Sequence, residues 1–147
     1  MEEFQKQWID SIEKETIEWT KKLGTELADK KLTTSQLRKF FGEVKRIENK
    51  SKDASKNITT DIAMLKPLLY YTLGRELGNK ESKDGFQLFA TTISSLVEIV
   101  LEKKDSVVPR FRNFVKIFES IVAYHKYQEK LEEIKAKEEK KSKGFKN

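Results

Sequence analysis

The sequence predicts an all-α fold, a compact bundle of about five helices in one domain, with long helices at its N- and C-terminal ends. Apolar residues recur every three or four positions along most of the chain, which is the spacing of amphipathic helices. Only 2 of the 147 residues are proline and 6 are glycine, so long helices are possible and an all-β fold is disfavoured. The chain is also long enough to bury a single core.

The N-terminal third of the chain predicts two helices. The first is expected from about residue 3 to residue 27, where large apolar side chains lie near one helical face. The second is expected to begin after Thr33, because Thr33 and Gln36 have the spacing of a capping box, and to end near Asn49. The polar segment 49–57 lacks periodicity and predicts a loop.

The rest of the chain predicts three more helices. The third is expected over residues 60–77, with Pro67 kinking or splitting it. The fourth is expected to start at Asp84, which has capping-box-like spacing with Gln87. The fifth is expected to follow Ser106 and to carry a long apolar stripe.

Beyond Tyr127 the apolar pattern thins and charged residues dominate. We therefore expect a helical domain over residues 1–128 and a charged, fraying C-terminal tail over residues 129–147. Neither an internal repeat nor a second domain is indicated.

Positive charge is concentrated in one part of the chain. The net charge of the protein is +6, and residues 31–80 alone carry 11 basic and 5 acidic side chains. Such an excess favours a polyanionic partner.

The residue inventory argues against catalysis. The chain has no cysteine and a single histidine, so disulfides, thiol chemistry and zinc-finger spacing are excluded. The dense C-terminal carboxylates interleave with lysines at helical spacing, which is typical of a solvated helix rather than of a metal site. We expect a non-enzyme with no cofactor and no metal.

Two sequence features bear on location. No apolar run approaches the ~18–20 residues that a membrane span needs. The first ten residues lack the basic and apolar regions of a signal peptide. We therefore expect a cytoplasmic protein without membrane contact.

The second predicted helix has two opposed faces. One face is apolar, and the other gathers the cations Arg38, Lys39, Lys45 and Arg46 around Gly42 in an arc without any carboxylate of this helix. Glycine inside a helix costs about 1 kcal/mol relative to alanine, so its position suggests the close approach of a nucleic-acid backbone or of a crossing helix. An ordinary solvated face is the alternative.

Two further segments contain candidate contacts. Arg75 follows Gly74 within the third helix, where the alternative is close helix packing. In the fifth helix, Lys116, His125 and Lys126 lie among aromatic residues that either stack on bases or belong to the core. His125 is either a partly buried structural histidine or a nucleic-acid contact.

Three separated blocks of the sequence resemble one known family in the same order. They are LTTSQLRKFFGEVKRIE, LKPLLYYTLGRE and FVKIFESIVAYHKY, and together they reach from Leu32 to Tyr127. This ordered set is similar to the small subunit of the type III-A CRISPR interference complex, the Csm complex.

The resemblance implies an all-helical, non-catalytic subunit that acts in antiviral defence and is present in several copies. It implies partners as well: crRNA and target RNA, the repeated backbone subunit, the large subunit, and neighbouring copies of this chain. Contacts to RNA would be made to the backbone by positive side chains. The RNA-binding candidates are Arg38, Lys39, Lys45, Arg46, Arg75, Lys116, His125 and Lys126.

Two other functions remain open at the level of sequence. One is a helical protein–protein adaptor whose basic face meets an acidic partner without any direct RNA role. The other is a peripheral membrane protein that uses a basic amphipathic helix, although the apolar stripes are needed for the core.

Overall fold

The computed structural model describes residues 2–145 and confirms the all-α fold, which is about 80% helical in one domain. Among the described residues there are six α-helices, two 3-10 turns (Lys6–Ile9 and Lys104–Ser106) and no strand. The helices are α1 (Lys14–Asp29), α2 (Thr34–Ser51), α3 (Thr59–Ala63), α4 (Leu65–Glu76), α5 (Lys83–Leu101) and α6 (Val107–Phe145).

The first helix begins at Lys14, so the prediction of a start near residue 3 is wrong. Glu13 has extended backbone geometry and forms a capping box with Thr16. Ahead of it, Trp8 and Ile9 are buried from within a 3-10 turn. Residues 2–13 thus form an irregular N-terminal strap that its apolar residues anchor to the bundle, although their spacing is that of a continuous helix.

A buried arginine holds this N-terminal strap to the bundle. The Arg110 guanidinium donates to both carboxylate oxygens of Asp10, at 2.8 and 2.9 Å, and to the Ile99 carbonyl at 2.6 Å. These hydrogen bonds from Arg110 lower the pKa of Asp10. Asn113 adds a hydrogen bond to the Ile9 carbonyl.

The second and third predicted helices are confirmed. The Thr33–Gln36 capping box is present at the start of α2. The predicted break falls at Met64, between α3 and α4, and Pro67 lies in the first turn of α4, where its missing N–H costs little.

The predicted capping box at the start of the fourth helix is wrong. Asp84 lies inside the first turn of α5. Ser82, the residue before the helix, occupies the N-cap without a side-chain capping bond. The acidic side chain still lies at the positive end of the helix, which is favourable.

Helix α6 is the long central element of the bundle. Its 39 residues continue through the predicted tail as far as Phe145, and Glu129 still contacts the body by accepting hydrogen bonds from the Thr34 hydroxyl and amide. From Glu133 to Gly144 the side chains are exposed. A division of the chain at residue 128 stays a prediction.

The neighbours of α6 run in opposite directions. Helix α1 is parallel to it, since Thr20 contacts Ser120 and Asp29 contacts Gln128. Helix α2 is antiparallel to it, since Thr34 contacts Glu129 whereas Lys45 contacts Glu119. The core between them and α5 is rich in phenylalanine.

Within residues 2–145, one helix, α5, has the length and apolar composition of a membrane span, with a mean hydropathy of 1.2. More than half of that span, 56%, is buried inside the bundle. Because its apolar face forms part of the core, the hydropathy of α5 is explained by packing.

Candidate nucleic-acid interface

The N-terminal half of α2 presents two cations that form no ion pair with the described side chains. The apolar face of this helix is buried through Leu37, Phe40 and Val44, which turns the opposite face outwards. Arg38 and Lys39 are exposed on that face, and no carboxylate of the side chains described lies within ion-pair distance of either. Their full charge is therefore available to a partner.

The C-terminal half of α2 differs, because carboxylates neutralise its cations. The Lys45 ammonium contacts Glu48 at 2.7 Å and Glu119 of α6 at 2.9 Å. Both partners raise the pKa of Lys45, with Glu48 contributing most. Lys45 is therefore neutralised both by an acid of its own helix, at the margin of the basic arc, and by an acid of α6.

Arg46 is paired in the same way. Its guanidinium donates to Glu43 at 2.6 Å and lies 3.3 Å from Asp61 of α3. Lys50 donates to the other oxygen of Asp61, and this bond is the main reason why the pKa of that carboxyl is lowered. Lys45 and Arg46 thus join α2 to its neighbours, in addition to any contact they make with a partner.

Two predicted residues of α6 extend the basic surface beside α2. Lys126 follows Glu119 by two helical turns, so both project from the side of α6 that faces α2. Lys116 is exposed one turn before Glu119. Sequence reasoning missed Arg112, which is exposed one turn before Lys116 and was detectable by that spacing.

The structure brings Arg75 and Lys39 to one place, although they come from separate sequence blocks. Both line a groove of about 240 Å³ between α2 and α4, and Phe86 of α5 also lines it. The Arg75 guanidinium lies 5.9 Å from the centroid of the Tyr71 ring. Sequence reasoning did not single out Tyr71, which lies one helical turn before Arg75.

The two helical glycines of this region have no packing role within the chain. A Cβ atom added at Gly42 or at Gly74 would meet nothing within 4 Å. Among the described residues, neither the crossing helix that could have explained Gly42 nor the close helix packing that could have explained Gly74 is present. Both positions leave the backbone open to a partner.

His125 lies in the interior instead of at the interface. It is 0% exposed, and its Nε2 is hydrogen-bonded to the Leu32 carbonyl. The structural interpretation of this residue therefore fits the fold, and contact with RNA does not, because a buried imidazole offers no surface to a partner. We do not retain His125 as an RNA-binding candidate.

The fold and this surface define the class of protein. It is a small helical bundle with a basic face spread over α2, α4 and α6, and its described side chains contain no cluster suited to a metal ion. The family model for Csm2 Type III-A matches residues 10–131, so the chain belongs to that family. It is a small subunit of the type III-A effector, and thus part of the multi-subunit Csm complex.

This family consists of structural small subunits that are generally non-catalytic. The match includes all three sequence blocks that carried the resemblance. Neither a curated protein nor a solved structure matches the chain.

Proposed function

We propose that this chain is a non-catalytic subunit that binds the backbones of crRNA and target RNA in the cytoplasm, with several copies side by side in each complex. The observation that supports RNA contact best is the pair of exposed, acid-free cations Arg38 and Lys39. Next to them lie Arg75 across the groove and Lys126 on the antiparallel helix α6. Lys45, Arg46 and Lys116 would contribute at the edges of this surface.

Contacts of this kind carry no sequence information. Flexible cations on helix faces recognise phosphates, whereas sequence is read through base edges. A subunit built this way can serve any guide, because base pairing between the guide and the target selects the sequence. Binding should therefore depend steeply on salt and little on RNA sequence.

Reversing both acid-free cations is expected to weaken RNA binding. The double variant Arg38→Glu/Lys39→Glu should lower the slope of log affinity against log salt by roughly 1.4 for each copy that contacts the RNA, since each phosphate contact to a single strand contributes about 0.7. Melting should change little, because neither residue has an ion pair to lose among the described side chains. The measurement is a salt series of RNA binding by the assembled complex.

The matched control reverses the same charge elsewhere. Lys14→Glu/Lys21→Glu changes two exposed cations of α1, on another face of the bundle. It should leave the salt slope close to that of the wild type. If both double variants lose the same amount of salt slope, the loss reflects the net charge of the protein and not a site at Arg38 and Lys39.

A second surface favours contacts with protein. Between Asp84 and Glu98 helix α5 contains no charged residue, and its exposed positions there are Gln87, Thr91 and Ser95. Tyr70 of α4 is 48% exposed, and Leu77, the residue directly after α4, is 56% exposed. Since α4 packs antiparallel to α5, as the ion pair between Lys66 and Glu98 indicates, these side chains form one uncharged face of the two helices. On the side of the N-terminal strap, the carboxylates Glu2, Glu3 and Glu26 border this face. Interface cores are depleted of charge and enriched in tyrosine.

We assign this uncharged face to the other subunits of the complex, including neighbouring copies. Thr91→Arg should therefore reduce incorporation of the chain into the complex, because a long charged side chain would project from the face and would not fit an uncharged partner surface. The folded state should tolerate it, since the Thr91 hydroxyl is bonded only to carbonyls of its own helix. Co-purification of the reconstituted subunits measures the effect.

The control for this variant is Gln7→Arg, which adds the same charge at an exposed position of the N-terminal strap. It should assemble normally. If Thr91→Arg assembles as well as Gln7→Arg, the uncharged face is not a contact. If the chain assembles but the α2 reversals leave RNA binding intact, the adaptor without an RNA role is the better function.

A further inference from the structure

The groove between α2 and α4 has a lining that phosphate binding does not need. Besides Lys39 and Arg75, it is lined by the apolar side chains of Phe40, Leu69 and Phe86. Its volume of about 240 Å³ is smaller than the ~300–1,000 Å³ of typical small-molecule sites. There is room for one flat ring system beside the two cations.

The rim of the groove presents groups suited to stacking. Tyr71 is 67% exposed, which leaves most of an aromatic side chain in water. The Arg75 guanidinium lies over that ring, 5.9 Å from its centroid. Tyrosine rings and guanidinium planes are the protein groups on which unpaired RNA bases stack.

From this geometry we infer that the groove binds one unpaired nucleotide of RNA, with its base against Tyr71 and its phosphate between Lys39 and Arg75. The inference rests on the proposed RNA-backbone function and adds a base-binding position to it. Ser35 and Thr72 line the same groove. The Ser35 hydroxyl can donate to or accept from a base edge or the ribose, whereas the Thr72 hydroxyl donates to the Leu68 carbonyl and can only accept.

The charge of the groove favours a nucleotide over a peptide segment. The lining combines two cations, Lys39 and Arg75, with a single carboxylate, Glu76. That carboxylate lies 3.4 Å from the Ser82 hydroxyl. A nucleotide supplies both a planar ring for the tyrosine and an anion for the cations. An apolar peptide segment would leave Lys39 and Arg75 without partners.

The test compares RNA with and without bases. The full-length protein is titrated at low salt with an oligoadenylate and with an abasic ribose–phosphate oligomer of the same length. We expect the wild type to bind the oligoadenylate about 5- to 160-fold more tightly, the range that stacking of one base gives. Tyr71→Leu should remove this preference and leave abasic binding unchanged, whereas Tyr71→Phe should keep it.

The remaining outcomes separate the inference from the proposed function. Equal binding of both oligomers by the wild type, lost in Arg38→Glu/Lys39→Glu, would overturn the base site and leave the backbone function intact. Binding of neither oligomer would count against both. If Tyr71→Leu keeps the preference but fails to enter the assembled complex, the groove holds a protein segment and the inference is wrong.

Discussion

Phe118→Ala is expected to destabilise the protein by about 3–5 kcal/mol, the range for truncating a fully buried phenylalanine. The side chain is 0% exposed, and its ring lies within 5.4 to 6.1 Å of the rings of Phe40, Phe41, Phe89 and Phe114. The three helices that meet at this ring, α2, α5 and α6, cannot close together around the resulting cavity without shifting other contacts. Denaturant unfolding monitored by circular dichroism measures the loss.

The matched control is Phe41→Ala, at a neighbouring ring that lies closer to the surface than Phe118. Phe41 is only partly buried, and it stacks on Phe118 from the α2 side, with 5.8 Å between the ring centroids. Its truncation opens towards solvent, so roughly 1–2 kcal/mol is expected. A larger loss at Phe41 than at Phe118 would contradict the packing described for α2 against α6.

The sequence alone could not separate these two phenylalanines. Both fall on apolar stripes at helical spacing, and the pattern marks them as equal members of the core. Their difference depends on where α2 crosses α6, which is decided by contacts between residues distant in sequence. Patterns within a helix report a buried face, but they do not report its depth.

The N-terminal strap illustrates the same limit for secondary structure. Apolar periodicity predicted a helix from residue 3, but a helical path would not supply the contacts that Asp10 and Ile9 make with α6. Tertiary anchoring by the buried Arg110 outweighs the local preference. By contrast, the start of α2 was predictable, because the Thr33–Gln36 capping box is local.

The candidate interface was predictable in part for a related reason. Charge within α2 was readable, and it directed attention to Arg38 and Lys39. Glu48 and Glu43, which pair with Lys45 and Arg46, lie in α2 itself at i,i+3 spacing and were predictable. The additional partners Glu119 and Asp61 lie on other elements and cannot be placed by the spacing within α2. Charge reversals at Lys45 and Arg46 would therefore bring carboxylates together and disturb packing as well as binding.

The convergence of Lys39 with Arg75 and Tyr71 also depends on the tertiary fold. The two helices are separated by a polar loop and the short helix α3, so no spacing rule relates their residues. Family resemblance had indicated both cations, but not the groove between them. The stacking position thus follows from the assembled bundle.

The six glycines of the chain differ sharply in their surroundings, and Gly24→Ala gives the second large effect. A Cβ atom at Gly24 would lie 2.7 Å from the Ile121 carbonyl oxygen and 2.9 Å from the His125 amide nitrogen. These are backbone atoms of α6, so they cannot yield as a flexible side chain would. Alanine here should force α1 away from α6 and destabilise the protein by about 1–3 kcal/mol, as measured by the denaturant midpoint at constant m-value.

Gly42→Ala is the control that makes this result specific. It is the same substitution in the interior of a neighbouring helix, but its Cβ would meet nothing within 4 Å. Relief of the helix cost of glycine should stabilise the protein by up to about 1 kcal/mol. The two variants should thus move the denaturant midpoint in opposite directions. A shared direction would mean that helix propensity, and not the close approach of α1 to α6, governs position 24.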